Sequence, residues 1–338
     1  MKKRFAALIM AMAMILTMFV GCSPKAADST DSSEPSSEPI VFKLADGAAA
    51  GSANAYAADM FAQLLEEKTE GRMKLDVHHA AALGNERDAL EGLQMNTIDI
   101  ALITPGYLAA VYPKISLIDQ PYLFTSMEEA HEVIDGEIGQ IMYDEILAQT
   151  GVHTLGSLYA NFRVMNTTFP INSAADLAGR KMRVPEVKSY IDLMTALGAN
   201  STPVAFTETY TALSTDIVEG VEVSPDLMVS MAFHEVTDYC AITNHVYSTI
   251  FFLMSSKAYD QIPEDLMDEF MAALEEARQM EKKVVVDAYE ASLKTMEDSG
   301  LTITYPDLSE FQELCKGNQD AFAKENGCED LLAMIRNK

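Results

Sequence analysis

Positive charge is what this chain has least of. Its 338 residues carry 24 Lys and Arg against 51 Asp and Glu. Three of the cations, Lys2, Lys3 and Arg4, stand at the N-terminus; without residues 1–21 the balance is 21 cations to 51 acids, a net charge of −30. Nucleic-acid recognition needs clustered Lys and Arg against phosphate, so this balance argues against such a partner. A small anionic ligand is not excluded. Exposed charges are screened beyond about 8 Å at physiological salt, so a few cations in a desolvated cleft set local affinity.

Cysteine is scarce too. Besides Cys22 the chain has Cys240, Cys315 and Cys328, an odd remainder that gives no disulfide framework. Cys315 and Cys328 are read as free thiols, with their pairing in an exported protein as the alternative. There is no CxxC or zinc spacing, and no GxSxG, HExxH or P-loop motif, so neither a metal nor a cofactor is expected. His78 and His79 are adjacent, and in a strand they would point to opposite faces; they are read as surface or packing residues. His153, His234 and His245 are scattered. A secreted hydrolase or lyase assembled by their convergence is the rival from another class.

Long apolar runs are also missing. Phe5 to Val20 is sixteen residues, apolar except Thr17, short of the ~20 that a membrane span needs. Behind Lys2, Lys3 and Arg4 it reads as an export signal over residues 1–21. The run ends in "FVGC", which resembles a bacterial lipobox with Cys22 as the lipidated residue, although Phe19 stands where leucine is usual. An ordinary signal peptide cut nearby is the alternative. Residues 22–39 are Ser, Pro and acid with almost nothing to bury, the composition of a disordered tether.

The rest of the chain is rich in patterned apolar sequence. "VFKLADG" reads as a strand entering a loop. Asn54–Lys68 has helical spacing, "MKLDVHH" alternates, Glu86–Met95 is helical and Ile98–Ile103 is a buried strand. Strand and helix alternate again after Thr154, so the expected fold is α/β with two units and largely parallel strands. Late in the chain no Gly or Pro interrupts Glu264–Ser299, between Pro263 and Gly300. This predicts one helix of about 36 residues, about 54 Å long, spanning both units. Two helices with a break near 282–286 are the alternative.

Against its acidic background the chain concentrates Arg180, Lys181 and Arg183 in "GRKMRVPEV". Strand alternation through this stretch places Arg183 at the strand's end, before Pro185. The carboxyl ends of strands in α/β sheets are where ligands bind. Arginine's planar fork matches a carboxylate, in a charge-assisted bond of about 1.5–3 kcal/mol. The plainer reading pairs Arg183 with Glu186 or another surface acid.

From Val41 to about Leu331 the chain resembles the solute-binding component of tripartite ATP-independent periplasmic (TRAP) transporters. The resemblance rests on "LGNERDALEGLQMNTIDIAL", "DQPYLF", "DLAGRKMRVPE", "LGANSTPVAFTETYTALSTDIVEGVE", "FHEVTDYCAITNHVYS" and "IPEDL", in the family's order. It implies an α/β, two-lobed periplasmic-binding-protein-like fold with crossing strands and a long lobe-spanning helix. The lobes would be 40–160 with part of 249–288, and 161–248 with part of 289–320. The helix would be 263–299, with 301–338 packing on the lobes.

It also implies site residues. Arg183 matches the family's carboxylate-binding Arg, and Arg163 in "ANFR" an assisting one. Phe206 matches an aromatic lining residue. Glu86 matches an acid that bonds ligand hydroxyls or caps its helix. Asn244 in "TNHVY" and Asp46 beyond the first strand are further candidates. Val223 stands where many members have a ligand-contacting Asn, and Thr104 where sialic-acid binders carry Glu. Those two departures point to a keto acid, dicarboxylate or aromatic carboxylate, with Tyr107, Phe206 and Tyr247 as apolar walls; a sugar acid is the alternative. The resemblance implies a receptor, not an enzyme, that delivers its ligand to a TRAP permease; presenting the ligand to a sensor is the alternative. A monomer is the default expectation, and the lipobox reading places it on a lipid anchor at Cys22, on the membrane's outer face or in a periplasm.

Overall fold

The computed structural model describes residues 38–338. The expected signal segment 1–21, the expected lipidation site Cys22 and nearly all of the expected tether lie outside them. Among the described residues the strands form two sheets. In chain order they are β1 (Ile40–Ala45), β2 (Met73–His78), β3 (Ile100–Ile103), β4 (Val152–Leu158), β5 (Val164–Thr167) and β6 (Lys181–Val184), followed by β7 (Asn200–Pro203), β8 (Gly220–Val223), β9 (Tyr239–Ala241), β10 (Ile250–Ser255) and β11 (Thr302–Thr304). The first sheet runs β2-β1-β3-β10-β4 and the second β11-β9-β5-β8-β6-β7.

Each sheet has apolar clusters on both faces, as expected when helices cover both sides. Phe42, Phe61 and Phe252 fill one side of the first sheet, and Ile103, Tyr112 and Phe251 the other. Met182, Val184 and Phe311 pack on one side of the second, with Val221, Phe233 and Met296 opposite.

The sheets are less parallel than the sequence pattern suggested. β10 runs against both β3 and β4, and β5 against both β8 and β9. The reason is connectivity: β5 and β10 are the strands the chain enters on crossing directly from the other sheet, with no helix between. The two crossing segments lie side by side, with an antiparallel bridge between Phe162 and Tyr247. The Arg163 backbone N–H donates to the Val246 carbonyl at 2.9 Å.

The long helix is continuous over Met267–Asp298, 32 residues, after a 3-10 turn at Glu264–Leu266. That is about 48 Å. Phe270, Ala273 and Leu274 pack in the core of the first sheet, while Leu293 and Met296 pack in that of the second. Its middle meets the crossing chain: Glu281 Oε2 accepts from the Tyr159 N–H at 3.1 Å, and Asn161 Nδ2 donates to the Val285 carbonyl at 3.0 Å. The C-terminal helix Glu329–Arg336 returns Leu331, Leu332 and Ile335 to the first core. Cys240, Cys315 and Cys328 are buried free thiols.

Candidate functional site

A cleft is lined from both sheets. Asp46, Gly47, Asn54, Glu86, Thr104 and Tyr107 come from the first; Arg163, Arg183, Tyr190, Phe206 and Val223 come from the second or its approaches. Its empty space is about 620 Å³ including the mouth, the scale of a small-ligand site. β1, β3, β6 and β8 all direct their carboxyl ends here, as the α/β geometry requires.

Arg183 is 1% exposed on β6. Its Nε and Nη2 donate to the Val204 carbonyl at 3.0 and 2.7 Å, which fixes one edge of the guanidinium. Phe206 stacks 5.8 Å from its Cζ. Among the described residues no carboxylate ion-pairs with it; Glu186 instead reaches Arg87 Nη2 at 3.3 Å. Burial pulls the Arg183 guanidinium down to about 10, because the surrounding charges do not offset its desolvation. A buried cation held by a neutral carbonyl is short of an anion.

Arg163 is in the opposite state. It is 6% exposed, and its Nε and Nη2 grip the Glu222 carboxylate, with Nη2 also donating to the Glu222 carbonyl at 2.6 Å. Nη1 reaches Ser248 Oγ at 3.3 Å. Burial opposes this charge, yet Glu222 holds the guanidinium above its ordinary value. Glu222, itself desolvated, is nonetheless held down at about 2 by Arg163 and by the bond from His245. His245 Nε2 lies 3.2 Å from Glu222 Oε2, and Thr243 Oγ1 2.8 Å from His245 Nδ1. Arg163 thus borders the cleft with its charge already matched.

The first sheet supplies acceptors. α2 (Glu86–Gln94) is capped by Asn85, whose side chain accepts from the Arg87 and Asp88 N–H groups. Glu86 is therefore free of capping. Its Oε2 instead accepts from the Thr104 N–H at 2.6 Å and Thr104 Oγ1 at 2.8 Å. Burial raises the Glu86 carboxyl to about 6, against those two bonds. Burial, and then the charge of Glu86, pushes Tyr107 up to about 12. Asp46 is 2% exposed, beyond the end of β1, and its Oδ1 accepts from the Ala48 N–H at 2.9 Å.

Two candidates do not reach the cleft. Tyr247 is 3% exposed among Phe124 and Phe162 in the first core. Its hydroxyl accepts from the Ala160 N–H at 3.1 Å and lies 2.8 Å from His131 Nε2. Alternation along the crossing strand sends Tyr247 away from the face where Ser248 meets Arg163. Asn244 sits outside the cleft lining with φ +43°, a backbone conformation that Asn tolerates better than most residues. Sequence reasoning missed Glu222, Tyr190 and Asn54, and read His245 as one of several scattered histidines rather than as the partner of Glu222. Glu222 carried a signal: an acid between two valines in "GVEV" has no solvated face in an interior strand.

Comparison with known proteins shows the family. Residues 44–326 match the family model for bacterial extracellular solute-binding protein, family 7 (DctP). A solute-binding protein of Roseobacter denitrificans is 32% identical over 287 residues, covering 84% of this chain and 87% of that one. Its crystal structure as a TRAP periplasmic solute-binding protein with bound L-galactonate superposes with TM-score 0.81, covering 88% of this chain and 98% of that one at 30% identity. A TRAP periplasmic solute-binding protein from Sulfitobacter with bound β-D-galacturonate gives TM-score 0.84 at 27% identity, covering 88% and 100%. With the two crossed sheets, the helix that bridges them and the arginine-walled cleft all in place, this chain belongs to the DctP-type solute-binding proteins of TRAP transporters.

Proposed function

We propose that the protein captures a hydroxylated organic acid of the sugar-acid class in this cleft and delivers it to a TRAP permease. The observation that carries this reading is Arg183, a buried guanidinium with no acidic partner among the described residues and only Val204 O on its fixed edge. The ligand carboxylate takes the remaining donors, and the low local dielectric strengthens that pair. Asp46 and Glu86 then face the rest of the ligand. Both are acceptors suited to hydroxyls, and a second carboxylate placed there meets like charge. This favours a sugar acid over a dicarboxylate despite Val223 and Thr104: Thr104 holds Glu86 in place, and Val223 with Phe206 offers an apolar wall to ligand C–H groups. The galactonate and galacturonate bound by relatives support the same class. The receptor acts as a monomer without catalysis, exported and held to the membrane by a lipid on Cys22.

The test is calorimetric titration with galactonate, galacturonate, succinate, pyruvate and the amides of each. The expected result is binding of a hydroxylated acid and none of its amide. Arg183→Ala should lower affinity by about 100-fold or more, and Arg183→Lys by about tenfold, since a point charge does not replace the fork. Undiminished binding by folded Arg183→Ala overturns the assignment.

A further inference from the structure

His79 stands behind the cleft wall. Its Nδ1 lies 2.9 Å from Asp46 Oδ2 and its Nε2 3.0 Å from Asp59 Oδ1. Carboxylate oxygens accept and do not donate, so both ring nitrogens must carry protons and the ring is an imidazolium. The bond to Asp46 and, against burial, that to Asp59 hold the ring up to about 9. The groups facing it are Asp46 from the end of β1 and Asp59 from α1 (Ala53–Lys68). Its neighbour His78 turns to Asp76 instead. Glu86, the other acid of the cleft, is coupled to Asp46 by charge.

The chain around His79 is built to hold it there. Ala80 and Ala81 follow with φ +54° and +55°, left-handed conformations that alanine adopts only at a cost. The Ala80 N–H donates to the Ala48 carbonyl at 2.8 Å, and the Ala81 N–H to the Asp46 carbonyl at 3.0 Å. Two unfavourable residues thus tie the His79 loop to the Asp46 loop.

We infer that His79 is a positioning residue for ligand selection: it fixes Asp46 as an obligate acceptor, so the ligand must present a hydroxyl there and not a second carboxylate. This rests on the carboxylate-receptor reading above and adds a residue outside the cleft lining. One Asp46 oxygen is taken by the Ala48 N–H and the other by His79. Each keeps one lone pair, and both point of attachment and orientation are set from behind. A site built around a fixed acceptor loses much affinity for a ligand without the matching donor.

Wild-type binding of galactonate tests the receptor reading alone; the ratio of succinate to galactonate dissociation constants tests this inference. In His79→Leu that ratio should fall by about tenfold. Asp46→Asn, which offers a donor in place of an acceptor, should lower it at least as far. If His79→Leu does not fold, two other measurements apply. Ring-nitrogen NMR of the wild-type protein should show His79 doubly protonated at pH 7.5. Asp59→Asn alters an exposed residue, and should weaken galactonate binding at pH 8.5 while leaving it unchanged at pH 6. A ratio unchanged within about twofold in folded His79→Leu, a neutral His79 ring at pH 7.5, or an Asp59→Asn protein with no pH-dependent change overturns the inference.

Discussion

Asp119, in "DQPYLF", is 2% exposed, and neither of its carboxylate oxygens has a hydrogen-bond partner among the described residues. Burial raises it to about 8, with Arg163 opposing and Glu222 reinforcing. An unfolded Asp titrates near 3.9, so between about pH 4 and 8 the folded state holds a proton that the unfolded state has released. Stability therefore falls as pH rises through that window. Asp119→Asn mimics the protonated form. It should flatten this dependence and add about 1–3 kcal/mol at pH 8, with little change at pH 4, as read by urea unfolding at several pH values. The arginines show the same rule from the other side. Arg163 has Glu222 to match its charge, and Arg183 has a carbonyl. Residue type makes either an anion site; partner placement selects Arg183.

The long helix works as an element because its apolar stripe changes sheet partway along. Phe270 contacts Phe42 and Phe61 edge-on, with ring centroids 6.3 and 5.3 Å apart. Met296 lies among the second sheet's core residues. Between them Arg278 donates to the Ser157 carbonyl and to Asp135 Oδ2, tying the helix to β4 before the chain crosses. Phe270→Ala should cost about 3–5 kcal/mol in global stability, measured by denaturant unfolding, and should leave ligand affinity unchanged because the cleft lies elsewhere. The absence of Gly and Pro from 264–299 made this helix legible in sequence. Its role as a bridge was not: which turn faces which sheet depends on where the crossing strands lie.

At the scale of the molecule, the cleft exists because two sheets approach across it. Gly106, in the short helix Pro105–Leu108 after β3, is one point of contact: a Cβ there would lie 2.7 Å from Val187 Cγ1, just after β6. Gly106→Ala is a wedge between the two halves. Overpacking of this kind costs about 1–3 kcal/mol, so ligand affinity should fall about tenfold. The ligand-free thermal midpoint should move by less than about 2 °C, because the halves can separate to relieve the contact. A lowered midpoint with unchanged affinity would show instead that the halves do not separate. Arg87 and Glu186, 3.3 Å apart across the same boundary, are half-exposed, and such a pair contributes little to holding the halves together.

The sequence by itself determined the acidic balance, the alternation of strands and helices in two units, the long uninterrupted helix and the arginine at the end of "KMRVP". Each is local: propensity, periodicity and short-range motif act over neighbours in the chain. The family resemblance added Arg183, Arg163, Glu86, Thr104, Tyr107, Phe206, Val223 and Asp46 as candidates, all of which border one cleft. Only the tertiary structure decided what each contributes. Glu222 neutralises Arg163 across 59 positions, Thr104 orients Glu86, and His79 backs Asp46 from 33 positions away. Tyr247 fell outside because one step along an extended chain reverses a side chain's direction, and Asn244 because it stands at a left-handed turn outside the cleft lining. Charge, hydrogen bonding and facing are properties of groups that meet in space, and the meeting is set by the way two sheets exchange strands.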